Sequence, residues 1–132
     1  MTRKQLLNFW SIAVGAMDAL TGLWLIADPA GVLRLLRIAP PSPDALVFLS
    51  WIGVFVLGVG LSYGFVLVNR RWGEPVWCFT ALVRLLVAVF LTIQILNGSL
   101  ASAWALVAVA DTSVAILQGV ILRAQWWREV RR

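Results

Sequence analysis

The chain has 132 residues, is 61% apolar and only 13% charged, carries a formal charge of +5 and has a mean hydropathy of +0.90. Soluble domains are about a quarter charged, so this composition is that of an integral membrane protein. With no histidine and one cysteine, it excludes histidine-ligated haem, a Cys/His zinc site, an internal disulfide and a Ser-His-Asp triad.

Roughly 20 apolar residues cross a hydrocarbon core of about 30 Å, and four stretches meet that length: 6–27, 45–68, 76–96 and 100–122. The expected fold is all-α, an antiparallel bundle of four transmembrane helices forming a single domain over residues 1–132. The first span holds Asp18, is longer than a signal-peptide core and lacks a small-residue cleavage motif after it, so it reads as a retained helix. After it, Asp28 caps a short helix begun by Pro29. That piece, with Val32, Leu33, Leu35, Leu36 and Ile38 around Arg34 and Arg37, has the composition of a helix lying in the headgroup layer. Its arginines reach phosphates by snorkelling.

Ser42 and Pro43 open the second span and Pro75 the third. Asn97-Gly98-Ser99 joins the last two spans as a tight hairpin, with Gly98 as a left-handed cap and Ser99 as the next N-cap. Counting basic residues sets the orientation. Arg3, Lys4, Arg70, Arg71, Arg123, Arg128, Arg131 and Arg132 fall on one side, Arg34 and Arg37 on the other, which places both termini in the cytoplasm of a bacterial inner membrane. The tail meets anionic lipid, and no nucleic acid is expected. Trp10, Trp72, Trp77, Trp126 and Trp127 fall at the inner edge and Trp24 and Trp104 towards the outer, as an aromatic belt of interfacial anchors; Trp51 lies about two turns inside.

Asp18, Arg84 and Asp111 are the ionisable residues deep within the spans. Charges there need partners or water. Arg84 lies 13 residues before Asn97 and Asp111 12 after Ser99, so both sit about 18–20 Å below one turn at 1.5 Å per residue. Matching depths predict a buried Arg84–Asp111 ion pair. Asp18, about 14 Å from its own outer boundary, is expected close enough to join it and, as the less well paired acid, to be the protonated one. Such a cluster is either a polar staple that fixes helix register or a proton site, with Ser62 and Tyr63 extending a path inward.

Small residues mark packing faces. Ala101, Ala105, Ala108, Thr112, Ala115 and Gly119 run along the fourth span; Gly53, Gly58, Gly60 and Gly64 along the second, including a Gly60-to-Gly64 small-xxx-small pair; Gly15, Ala19 and Gly22 along the first. These stripes are expected to serve the internal bundle. None of the glycines forms a phosphate loop.

A Gly-rich first helix, Asp28-Pro29, an amphipathic piece ending Leu35-Leu36-Arg37-Ile38-Ala39-Pro40-Pro41, a Gly-rich second helix with Tyr63, Arg84 in the third and Asp111 in the fourth together resemble the small four-helix bacterial membrane proteins of the DoxX-like grouping, over nearly the whole chain. The resemblance implies the fold and a role as a subunit of, or assembly factor for, a membrane oxidoreductase linked to quinone. Cys78 stands alone, so no redox-active pair is present. The expected function is therefore a non-catalytic accessory or structural subunit, partnered by lipid and by other membrane subunits or further copies. A second reading is a small proton-coupled exporter using Asp18, since four helices with Trp51 and Tyr63 nearby resemble the small multidrug resistance family; Arg84 opposes it by repelling cationic substrates. A third is a protein that binds lipid, quinone or carotenoid in a groove walled by tryptophan. No metal or cofactor is expected beyond such a bound lipid or quinone.

Overall fold

A computed structural model describes residues 1–131; Arg132, one of the basic residues counted for orientation, lies outside the described residues. Among the described residues the chain is helical without strands, and four helices are long and apolar enough to cross a membrane. The chain divides into two compact units, Met1–Arg70 and Arg71–Arg132.

The first unit holds α1 (Arg3–Ala27), α2 (Pro29–Leu35) and α3 (Pro43–Val68). α1 starts three residues before the apolar stretch that announced it. Thr2 accepts from the Gln5 N–H at 3.3 Å and Gln5 Oε1 accepts from the Thr2 N–H at 2.8 Å, a reciprocal capping box. Asp28 caps α2 as expected: its Oδ1 accepts from the Gly31 N–H at 2.8 Å, Pro29 stands at the first helical position, and Arg34 reaches the other carboxylate oxygen at 3.3 Å. α2 is closed off by Arg37, two residues past its end, whose φ of +57° lets Arg37 and Ile38 donate back to the Arg34 and Leu33 carbonyls. Ser42 precedes α3 with Pro43 at its first position, but its side chain makes no cap hydrogen bond.

α1 and α3 pack through glycine at two levels. A methyl group at Gly22 would come within 2.7 Å of the Gly53 carbonyl oxygen; one at Gly60 would come within 2.7 Å of the Gly15 carbonyl oxygen. Backbone therefore meets backbone at Gly22/Gly53 and Gly15/Gly60, each helix using glycines seven residues apart, two turns on one face.

The second unit holds α4 (Gly73–Leu96), α5 (Ala105–Arg123) and α6 (Trp126–Arg131), with a 3-10 turn at Ser102–Trp104; another, Arg70–Trp72, spans the boundary between the units in the sequence. α4 begins two residues before Pro75. Proline is tolerated there because the first-turn N–H groups have no intrahelical acceptor. Gly98, φ +74°, closes α4 as expected: its N–H donates to the Ile95 carbonyl at 3.0 Å and that of Ser99 to the Gln94 carbonyl at 2.9 Å. Ser99 is not the next N-cap. The chain from Ser99 to Ala101 is used in folding back, a 3-10 turn follows, and α5 starts at Ala105, five residues later than the expected span.

Candidate functional site

The seam of the α4–α5 hairpin carries the polar groups. Buried residues on α4 are Gly73, Trp77, Thr80, Arg84, Ala88 and Leu91; on α5 they are Ala108, Ala115, Gln118 and Ile121. Arg84 Nη1 donates to Asp111 Oδ1 at 2.5 Å, with the two side chains 6% and 16% exposed. The expected pair is therefore formed, and its geometry is that of a strong charge-assisted hydrogen bond. Further along the same seam, Gln118 Nε2 donates to Thr80 Oγ1 across a long 3.5 Å, and Thr80 Oγ1 donates to the Trp77 carbonyl at 3.3 Å. Gln118 and Thr80 are fully buried and were not singled out in the sequence. The available signal was spacing: Gln118 lies seven residues after Asp111, and Thr80 four before Arg84, on the same helix faces.

Asp18 is buried in the first unit, 7% exposed, between the Gly15 and Gly22 contact levels of α1, with Ser11 buried two turns earlier and Tyr63 buried on α3. Ser62 donates to the Val59 carbonyl of its own helix at 2.6 Å, which satisfies its hydroxyl locally.

The expected anchors divide into two groups. Trp24 and Trp72 are exposed, Trp10, Trp104 and Trp126 half-buried. Trp77 and Trp127 instead lie inside the second unit, 0% and 1% exposed, as an edge-to-face pair with centroids 5.3 Å apart. The Trp127 ring also rests on Gly73, where any side chain would collide with it. These two rings tie α6 to the start of α4, and Arg128 adds an exposed 3.5 Å ion pair to Glu74.

The small-residue stripes divide as well. Gly53 and Gly60 make close backbone contacts, and Ala108 and Ala115 are buried on the α5 seam. Gly58, Gly64 and Gly119 have open space where a side chain would go, and Ala105 is exposed. Hence Gly60 packs, but not through the Gly60-to-Gly64 pair; its partner on the helix is Gly53. Two shallow grooves, of 270 Å³ along Thr92, Leu96, Ala105 and Val109 and of 240 Å³ along Ile12, Ala16, Gly60 and Gly64, have no tryptophan among their walls. No group of His, Cys, Asp or Glu suited to a metal ion occurs among the described residues. No protein-family model, curated protein or solved structure matches the chain.

Proposed function

We propose that the protein is a non-catalytic accessory subunit of a larger bacterial inner-membrane complex, its four long helices crossing the bilayer as an antiparallel bundle with both termini cytoplasmic and α2 lying in the outer headgroup layer. The resemblance to the DoxX-like grouping belongs to the same proposal, as does a partner complex that handles electrons or quinone. The observation that carries it is the Arg84–Asp111 ion pair, which joins the two helices of one hairpin at 2.5 Å. A cation already held by its own counter-ion is suited to fixing helix register, the best-attested use of buried polar pairs. Outer surface supports the partner half of the reading. Only 11% of the apolar window of α3 is buried, and Phe48, Trp51 and Phe55 form an exposed aromatic ladder with centroids 6.5 and 5.7 Å apart. Aromatic residues of this kind anchor helix and subunit interfaces.

The test is extraction of the native protein in mild detergent followed by mass analysis of what travels with it. Stoichiometric co-purifying membrane subunits are expected; a protein that runs only as free monomer or homodimer overturns the proposal. Proton-coupled substrate transport in proteoliposomes that is lost in Asp18→Asn would replace it with the exporter reading.

A further inference from the structure

The two hairpins bury corresponding positions at all but one step. Of the seven buried residues of α1, six (7, 11, 14, 18, 22 and 25) follow steps of 4, 3, 4, 4 and 3, with Gly15 the seventh, and in α4 residues 73, 77, 80, 84, 88 and 91 follow the same steps, 66 positions later. In α3 residues 53, 60, 63 and 66 step by 7, 3 and 3, and in α5 residues 108, 115, 118 and 121 do likewise, 55 positions later. Any packed helix alternates threes and fours. A generic face does not make the doubled four fall at one place in α1 and α4 while α3 and α5 also agree. Residue identities follow the same alignment: Val54/Val109, Val59/Val114, Gly64/Gly119 and Leu67/Leu122 are identical, and Gly53/Ala108, Gly60/Ala115, Gly15/Ala81 and Gly22/Ala88 exchange one small residue for another. The offsets differ by 11 residues, and the connection containing α2 is the longer of the two hairpin turns.

We infer that the chain is a tandem repeat of one two-helix hairpin, in which Asp18 and Arg84 are the same position carrying opposite charges. The equivalent of Asp111 is Val56. Asp18 stands between the Gly15/Gly60 and Gly22/Gly53 contacts, so Val56 lies at its level on α3. The second hairpin therefore holds an ion pair at this step, and in the first the position equivalent to Asp111 is apolar. α2 and its flanks are the insertion that distinguishes the copies, and the charge step is where their buried faces differ in sign.

The test introduces the opposite charge at the repeat-equivalent position of the full-length protein. Val56→Arg places a guanidinium where the repeat predicts that Asp18 receives it. The loss of folded fraction in detergent that Val56→Arg causes is expected to be about tenfold smaller with Asp18 present than in an Asp18→Asn background, the effect of about 1.4 kcal/mol of pairing. Equal loss in both backgrounds overturns the inference. A cross-linking pair reads the register independently of that charge. In a Cys78→Ser background, L25C/G53C occupies adjacent positions of α1 and α3, with a methyl at Gly53 2.8 Å from Leu25 Cβ, and L91C/A108C is its repeat equivalent. Both chains are expected to form an internal disulfide on oxidation. A link in the first chain with none in the second overturns the repeat.

Discussion

Replacing Asp111 with alanine leaves Arg84 at 6% exposure with its counter-ion removed. At an effective dielectric constant of about 20, two charges about 4 Å apart attract by about 4 kcal/mol, and breaking one member of a buried pair costs about 3–5 kcal/mol because the survivor stays desolvated. Asp111 retains 16% of its side-chain surface, and a long arginine can turn part of its length towards a membrane edge. The expected loss for Asp111→Ala is therefore at the lower end, about 3 kcal/mol, or about two decades in the ratio of folded to unfolded protein. Replacing Arg84 and Asp111 together with leucine removes both desolvation costs, and the expected loss is about 0–2 kcal/mol. Reversible unfolding of the detergent-solubilised protein by SDS titration, followed by tryptophan fluorescence, gives both values and, with Asp111→Leu and Arg84→Leu measured singly, closes the double-mutant cycle. The pairing argument requires the double variant to be more stable than Asp111→Ala. If the losses of Asp111→Leu and Arg84→Leu simply add in the double variant, the pair does not hold the hairpin and the staple reading fails.

Gly22→Ala is expected to destabilise by about 1–3 kcal/mol through overpacking, since its methyl would lie 2.7 Å from the Gly53 carbonyl oxygen. Gly58→Ala and Gly119→Ala, which meet nothing within 4 Å, are expected to be neutral or to gain up to about 1 kcal/mol of helix propensity; the same SDS titration separates the two classes. Trp127→Ala is expected to cost about 3–5 kcal/mol by emptying the space against Trp77 and Gly73, while Trp72→Ala, at an exposed ring, costs less than about 1 kcal/mol. Gln125 joins α5 to α6 at φ +58°, so Gln125→Gly is expected to raise the midpoint of unfolding by the equivalent of about 1 kcal/mol.

Helix rise is nearly invariant, and this is why the Arg84–Asp111 pair was legible: two residues equidistant from one turn arrive at one depth whatever the side chains around them do. The capping of α2 by Asp28 and the closure of α4 by Gly98 were legible for a similar reason, since both are local hydrogen-bonded devices complete within a few residues. The start of α5 was not. Ser99 has the chemistry of an N-cap, but Ser99 and Leu100 both donate back to the Gln94 carbonyl, and the preceding helix's own termination takes up the residues that would have opened the next one.

Rotation about the helix axis was harder to read than height along it. On α5 the small-residue column Ala105, Thr112 and Gly119 shares Ala108 and Ala115 with the true seam, yet the seam turns the other way, through Gln118 and Ile121. In water a glycine or alanine column and a column bearing Asp111 and Gln118 would be ranked by hydropathy. In lipid the outer face tolerates small residues, so hydropathy ceases to distinguish inside from outside, and the polar residues become the better markers of the seam. Tryptophan fails in the same way, because Trp72 and Trp77 fall at the same expected membrane edge and differ in the face they occupy: one ring is 55% exposed and the other 0%. For a helical membrane chain of this size, the residues to follow in locating the packed seams are therefore the few that lipid will not accept. Asp18, Arg84, Asp111, Thr80 and Gln118 lie on or beside the buried faces, whereas the glycines divide between close contacts and open surface.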